Sequence, residues 1–190
     1  MNSLKQIGTA IRFLVVITVI LGIGYPLVSF GVGELYAKNQ IHGSLVTANG
    51  TTVGSQLIGQ AFTGEQWFHS RPSNAGSNGY DPLASAATNA GPNDPNLTAT
   101  LTSRKAAVAK EEGVPLSAVP ADAITASGSG LDPDISVAYA DLQAKRVAAA
   151  NNLTVDQVMA KIKAVTHHRL LGFLGEETVN VLKLNLSLKG

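Results

Sequence analysis

The pattern of apolar and polar positions divides the chain into one long apolar run near the start and a mixed remainder. The run covers positions 13–33 and contains no charged side chain over 21 residues. A helix rises about 1.5 Å per residue, so this run would span roughly 31 Å, the thickness of the hydrocarbon core of a bilayer. The pattern therefore predicts one transmembrane helix.

The charges that flank this run predict its orientation. Lys5 and Arg12 precede it, and Glu34 is the first charged residue after it. Positively charged residues stay on the cytoplasmic side, so we expect the N-terminus in the cytoplasm and the rest of the chain outside. The alternative is a cleaved signal peptide, whose apolar region is normally only about 7–15 residues long. The expected organisation is a cytoplasmic N-terminus at 1–12, a helix across the inner membrane at 13–33, a connector at 34–43 and an extracytoplasmic domain at 44–190.

Three residues inside the run are unusual for a soluble helix. Gly22, Gly24 and Pro26 are tolerated in membrane helices, and small residues allow the backbone of a neighbouring helix to approach closely. We therefore expect these positions to pack against a partner helix.

The beginning of the outer domain predicts a hairpin followed by a long loop. Strand-like runs at 44–47 and 53–58 flank an Asn49-Gly50 turn. Between Pro72 and Asn96, 15 of 25 residues are Gly, Pro, Ser or Asn, which favours turns over periodic structure. The low charge of this stretch argues against disorder, so we expect an ordered loop packed on the domain or on a partner.

The second half predicts three helices and a final strand. The expected elements are a helix at 97–112 capped by Asn96, a helix at 133–150 capped by Asp132, a helix that begins with a Thr154 and Gln157 capping box, and a strand of alternating leucines at 182–188. The predicted fold class is α+β, a small sheet covered by helices and anchored by one N-terminal transmembrane helix.

Composition excludes several classes of function. Charged residues make up 14% of the chain, the formal net charge is +1, and there is no cysteine. The sequence has no cluster of Lys and Arg that would neutralise phosphates, so we do not expect it to bind nucleic acid. Without cysteine it has no disulfide, no thiol catalysis and no cysteine-ligated zinc.

The strongest candidate for a functional loop is the run of small residues from Ser127 to Asp132, which includes Ser129. It is most simply a tight turn, but small residues before a helix also present backbone N–H groups to an anion or a partner. A nucleophilic serine would need a base, and no pattern places a histidine there. Arg71, beside Trp67 and Phe68, fits a salt bridge at the core edge or an interaction surface equally well.

Two further patterns indicate structural roles. His167 and His168 are adjacent, so on a helix they diverge and cannot chelate one metal together; we expect them to cap the third helix. The glycine-bearing stretch at 171–176 lacks the lysine and hydroxyl residue of a phosphate loop, so from the residues alone it is a connector. The residues thus predict no catalytic group, no metal site and no tightly bound cofactor. They leave an accessory protein as the first hypothesis and a membrane-anchored hydrolase or ligand-binding protein that uses the Ser127 to Asp132 loop as the alternative.

A set of short motifs, taken together and in order, carries a resemblance over nearly the whole chain. They are Gly24-Tyr25-Pro26-Leu27, Leu57-Ile58-Gly59-Gln60, Phe68-His69, Arg71-Pro72-Ser73, Thr125-Ala126-Ser127-Gly128-Ser129-Gly130-Leu131-Asp132, Arg146-Val147-Ala148 and the tail Val179-Asn180-Val181-Leu182. With these motifs the chain resembles the C subunit of the Kdp potassium-transporting P-type ATPase, the KdpC family.

The resemblance implies a role inside a membrane complex. Its expected partners are a channel-like potassium-binding subunit, a P-type ATPase catalytic subunit and a small single-helix subunit. In this family the C subunit is described as a catalytic chaperone that raises the ATP affinity of the ATPase subunit. The implied nucleotide contact corresponds to Gly172, Gly175 and Glu176, with Glu176 in place of the glutamine of the best-known member. From the fold, the outer domain would instead clamp the subunits or cap the potassium entrance, through loops that contain Arg71, Ser127, Ser129 and Asp132.

Overall fold

The fold is taken from a computed structural model that describes residues 3–189. The chain forms two compact units, Met1–Leu45 and Val46–Gly190. The elements in chain order are α1 (Ser3–Ile17), a π-helical segment (Thr18–Gly24), α2 (Tyr25–Tyr36), α3 (Lys38–Ile41), β1 (Leu45–Ala48), β2 (Thr51–Ser55), α4 (Pro95–Glu112), two 3-10 turns (Leu116–Ala118 and Ala121–Ala123), β3 (Asp134–Ser136), α5 (Val137–Ala150), α6 (Val155–Val165), β4 (Thr166–His167), β5 (Thr178–Asn180) and α7 (Val181–Ser187).

The first unit is dominated by one apolar helix. Leu4–Tyr36 is continuous over 33 residues, and its most apolar 18-residue window has a mean hydropathy of 2.3 and no buried residue. It is the single described helix that is long and apolar enough to cross a membrane. Its middle is π-helical, directly before Pro26, whose ring has no N–H and clashes with a regular α-helical turn. The widened turn accommodates the proline without breaking the helix.

The predicted hairpin is present, with a shorter second strand than expected. Asn49 and Gly50 adopt positive φ angles of 51° and 77°, as a tight two-residue turn between β1 and β2 requires. The second strand ends at Ser55 rather than at residue 58, because Ile58 N–H donates to the Ser55 carbonyl in a turn.

The sequence placed the cap of α4 two residues too late. The N-cap is Asp94, whose carboxylate accepts a hydrogen bond of 2.8 Å from Asn96 N–H, and Pro95 is the first helical residue. The helix ends as predicted at Glu112, where Gly113 adopts the left-handed conformation with φ 66°. Proline at the first helical position has no N–H to leave unpaired, so Asp94-Pro95 starts the helix better than Asn96 could.

The prediction of a helix that begins at Pro133 is wrong. Asp134–Ser136 is a strand, and α5 begins at Val137 with Ser136 as its N-cap. The Ser136 hydroxyl accepts a hydrogen bond of 3.0 Å from Tyr139 N–H. Asp132 instead accepts a hydrogen bond of 3.1 Å from Asp134 N–H within a turn, so its carboxylate does not cap a helix.

The third predicted helix is confirmed, but the histidines after it do not cap it. Thr154 and Gln157 form the capping box at the start of α6. At its end the Thr166 hydroxyl donates to the Ile162 carbonyl at 2.8 Å, the role expected of the histidines. His167 belongs to β4, and His168 pairs with Glu177 across the hairpin at 2.7 Å.

The final strand is also wrong, because the alternating leucines form the helix α7. Asn180 caps this helix through a hydrogen bond of 3.1 Å from Lys183 N–H to its side-chain oxygen. The buried positions are Val181, Leu182, Leu184 and Asn185, a helical rather than an alternating pattern. The strand that closes the sheet is the preceding segment, β5.

The fold class is confirmed as mixed α and β. The main sheet is antiparallel with the order β3–β5–β4, and Val179 in its centre lies opposite Ile135 and Thr166. Helices α5, α6 and α7 pack on this small sheet. The fully or almost fully buried side chains between them include Phe68, Ile135, Val147, Val158, Ile162, Val179 and Leu184.

Candidate functional site

Four sequence-predicted loop residues, Arg71, Ser127, Ser129 and Asp132, lie in the second unit near Ser73, and we call these five residues the serine-loop cluster. Arg71 Nη1 donates to Asp132 Oδ2 at 2.8 Å, and both side chains are partly exposed. This ion pair joins the segment after Phe68 to the turn before β3. Of the two readings of Arg71 left open by the sequence, the salt bridge is therefore observed.

Ser73 connects the long loop to the rest of the cluster. Its hydroxyl donates to the Gly130 carbonyl at 2.5 Å and accepts from Tyr80 N–H at 2.8 Å and Ala75 N–H at 3.2 Å. The Tyr80 hydroxyl donates to the Arg71 carbonyl, and burial raises the pKa of Tyr80. The first part of the loop is thus held against the domain by specific hydrogen bonds, as expected for an ordered loop.

The two candidate serines serve the same attachment. Ser127 is buried, and its Oγ lies 3.5 Å from Ser129 Oγ, which itself accepts from Leu131 N–H at 3.0 Å. The Ser129 carbonyl accepts from Ser85 Oγ at 2.9 Å and from Ala86 N–H at 3.0 Å. Within the described part of the chain neither hydroxyl hydrogen-bonds a histidine, so the cluster offers no nucleophile with its base.

Gly130 allows the long loop, at Ala75 and Ala86, to pack closely against the turn before β3. Its φ is +68°, and a Cβ built there would lie 2.6 Å from the Ala86 carbonyl oxygen and 2.8 Å from Ala75 N. Any side chain would push the loop away, and the left-handed backbone disfavours one in any case. The glycine is therefore needed for the close packing of the loop.

A second polar arrangement, which sequence reasoning missed, lies under the segment at 65–69. Asn185 accepts from Phe68 N–H at 2.8 Å and donates to the Phe68 carbonyl at 3.0 Å. Gln143 does the same for His69, at 2.6 Å and 3.2 Å. We call this pair of buried side chains the amide clamp. Each amide pairs with both backbone groups of one residue, as a neighbouring strand would.

Arg146 completes the support of this segment. Its guanidinium donates to the carbonyls of Glu65 and Trp67 at 2.7 Å and 2.9 Å, and it forms a buried ion pair of 2.9 Å with Glu112. The Glu112 side chain is only 2% exposed and its Oε2 has no hydrogen-bond partner. Burial raises the pKa of Glu112, and Arg146 opposes part of that shift.

The stretch implied to contact nucleotide forms the end of the β4–β5 hairpin. Leu170 and Leu174 pair through backbone hydrogen bonds of 2.9 Å and 3.0 Å, and Gly172 and Gly175 both have positive φ angles. Glu176 is exposed beside them. The implied role of Gly172, Gly175 and Glu176 stays a prediction.

The predicted helix-packing residues lie in the first unit at the π-helical segment. A Cβ added at Gly22 or Gly24 would meet only ordinary contacts, at 3.8 Å and 3.7 Å, within the helix itself. Large apolar side chains nearby, such as Ile20 and Ile23, are more than half exposed. The helix therefore presents an apolar surface with small notches, and its use by a partner helix stays a prediction.

Comparison with known proteins shows the family. Residues 7–190 match the family model described as KdpC, the c chain of the K+-transporting ATPase. The chain belongs to the KdpC family. A KdpC subunit of a potassium-transporting ATPase from Mycobacterium tuberculosis is 50% identical over 185 residues, which cover 97% of each chain.

Other KdpC relatives are similar over comparable lengths. One from Kineococcus radiotolerans is 50% identical over 188 residues, covering 99% of this chain and 95% of that one. One from Beijerinckia indica is 45% identical over 185 residues, covering 97% and 93%. The resemblance stated from the motifs is therefore confirmed, and the chain is a membrane-associated subunit of a potassium-transporting ATPase.

Proposed function

We propose that the chain is a non-catalytic accessory subunit that is needed to assemble and stabilise an ATP-driven, high-affinity potassium importer. The observation that carries this proposal is the match to KdpC subunits over nearly the whole chain. The side-chain chemistry agrees with it, because the candidate serines, Arg71 and Asp132 are engaged in bonds that hold loops together. The partners are a channel-like potassium-binding subunit, a P-type ATPase subunit and a small single-helix subunit.

The membrane helix is an uncleaved anchor in this proposal. The family match begins at residue 7, so the apolar run is part of what the family shares. Lys5 and Arg12 before the run support an orientation with the N-terminus in the cytoplasm and the second unit outside the inner membrane. Gly22 and Gly24 provide the close contact with partner helices.

ATP binds to the partner ATPase subunit rather than to this chain. Around Gly172 and Gly175 the hairpin offers apolar side chains and the Glu176 carboxylate, which repels a triphosphate. An increase in the ATP affinity of the ATPase subunit would then be transmitted through subunit contacts. Binding of a labelled ATP analogue by the purified full chain, weakened by Glu176→Ala, would contradict this assignment.

Affinity purification of the tagged full chain from mild-detergent extracts of potassium-starved cells tests the subunit role. We expect a large P-type ATPase and a multi-spanning protein to co-elute with it, together with potassium-stimulated ATP hydrolysis. A chain that elutes without partners and without ATPase activity would overturn the proposal.

Two variants separate helix packing from general damage to the anchor. Gly22→Ile with Gly24→Ile fills the notches and should reduce recovery of the partners. Leu21→Ile with Leu27→Ile introduces the same β-branched side chain at two positions of the same run without filling a notch, and should leave recovery unchanged. Equal recovery with both double variants would show that the glycines are not the contact.

A further inference from the structure

The end of the β4–β5 hairpin exposes a concentrated group of large apolar side chains. Leu170, Leu171, Phe173 and Leu174, which we call the apolar tip, are 68%, 76%, 68% and 48% exposed. These four residues lie within five positions of one turn. A local concentration of exposed apolar side chains on a folded protein is typical of a surface that contacts a protein, a membrane or a ligand.

The tip is exposed although its backbone is well organised. Leu170 N–H donates to the Leu174 carbonyl at 2.9 Å, and Leu174 N–H donates back at 3.0 Å. Gly172 N–H closes the turn on the Arg169 carbonyl at 3.1 Å. Below the tip, a hydrogen bond of 2.7 Å between His168 Nδ1 and Glu177 Oε1 joins the two sides of the hairpin. The apolar side chains are thus presented by a defined turn and could be buried without refolding it.

The chain's own anchor identifies the bilayer as the phase that covers the tip. Only residues 37–44 separate the end of α2 from the start of β1, and such a connector extends to about 30 Å at most. The second unit is therefore joined by a short connector to a helix that is long and apolar enough to cross a membrane. A fluid acyl-chain region can surround side chains on every side of a narrow turn, and burial of apolar area drives such insertion.

The polar groups at the base of the tip suit the headgroup layer. Arg169 directly precedes Leu170 and is exposed, so its guanidinium can reach lipid phosphates when the tip is inserted. The carboxylates of exposed Glu176 and of Glu177, which is hydrogen-bonded to His168 Nδ1 at 2.7 Å, oppose anionic lipid phosphates, so burial of the apolar side chains supplies the main attraction.

We propose that the apolar tip inserts into the leaflet of the bilayer that faces the second unit, and so gives the chain a second membrane contact besides its helix. This inference does not depend on the proposed role in the transport complex. It assigns the hairpin to lipid rather than to nucleotide or to a partner protein.

Fluorescence of the full chain in lipid vesicles tests the proposal. Trp67 is the one tryptophan of the chain, so Trp67→Phe with Phe173→Trp places a single tryptophan in the tip. The matched control is Trp67→Phe with Leu83→Trp, because Leu83 is 95% exposed on a different loop of the same unit. Both proteins are reconstituted in phosphatidylcholine and phosphatidylglycerol vesicles with and without brominated acyl chains, and near-native circular dichroism confirms that both fold.

We expect emission from the tip tryptophan to be blue-shifted and strongly quenched by the brominated lipids, and emission from the control to be neither. An unquenched tip tryptophan overturns the proposal. If that unquenched emission is also red-shifted, the tip lies in water; if it is blue-shifted, protein covers the tip instead of lipid.

Discussion

The backbone of Phe68 and His69 lies outside any strand, yet its hydrogen-bonding groups are paired by the amide clamp of Asn185 and Gln143. Buried peptide groups are costly to leave unpaired, so this segment depends on two side chains far away in the sequence. The sequence alone could not show this. Within alternating leucines, Asn185 was expected on the polar face of a strand, whereas it is 2% exposed.

Asn185→Leu should strongly destabilise the second unit. The leucine is apolar and compatible with the helix, but it leaves the N–H and carbonyl of Phe68 buried without partners, which costs about 2–4 kcal/mol of unfolding free energy. Denaturant unfolding of the full chain in detergent, followed by Trp67 fluorescence, measures it. Asn93→Leu, at an exposed loop position, is the matched control and should change little. Equal unfolding midpoints for the two variants would contradict the clamp.

Glu112 should make stability depend on pH in a defined direction. Burial raises its pKa above the ordinary value of 4.5, so the folded state holds the proton more tightly than the unfolded state does. Its contribution to stability is then complete below pH 4.5 and is lost as pH rises through the raised folded pKa.

Comparison of the wild type with Glu112→Gln isolates this contribution, since other carboxyl groups titrate equally in both proteins. The unfolding free energy of the wild type should fall relative to that of the variant as pH increases above about 4.5. Parallel pH curves for the two proteins would show that burial of Glu112 does not perturb its titration.

At the scale of elements, the sequence predicted helices and turns most accurately where a capping or turn motif bounded a regular hydrophobic pattern. The capping box of α6, the Asn49-Gly50 turn and the C-terminal end of α4 at Gly113 were all found where expected. The failures were short segments. Asp134–Ser136 became a strand because it pairs with Thr178–Asn180, about 44 residues further on, and no local pattern encodes that pairing.

The final helix is the opposite case, because the sequence predicted a strand and the structure has the helix α7. Leucines at 182, 184, 186 and 188 satisfy an alternating pattern, but seven residues also fit a helix, for which leucine has a high propensity. Asn180, read as part of a tail motif, is the cap that decides between them. Of the serine-loop cluster, the sequence predicted Arg71, Ser127, Ser129 and Asp132 as candidate loop contacts, but it predicted neither Ser73 nor the bonds that join these loops. It missed the amide clamp because that clamp exists only after distant helices pack.

Thr154→Ala tests the contribution of the capping box to α6. The Thr154 hydroxyl accepts from Gln157 N–H at 3.2 Å, and Gln157 Oε1 accepts from Thr154 N–H at 2.9 Å. Loss of the cap should cost about 1 kcal/mol of unfolding free energy. Thr102→Ala, the same change at an exposed position inside α4, should cost less or nothing. A larger effect at position 102 than at 154 would refute the importance of the cap.

At the scale of the whole molecule, the chain combines an apolar helix that could cross a membrane with a small α and β unit whose polar loops are bonded to themselves. Low charge and the charge-free run predicted this division, and ordered short motifs predicted the family. What neither predicts is which surface meets which partner, because partner contacts are not encoded in one chain's periodicity.

We propose that this chain is required for potassium-stimulated ATP hydrolysis by the transport complex without performing that hydrolysis itself. The most direct measurement is potassium-stimulated ATPase activity in membranes that contain the partner subunits with this chain, the partners without it, and this chain alone. We predict activity only in the first preparation. Full activity of the partners without the chain, or hydrolysis by the chain alone, would contradict the account.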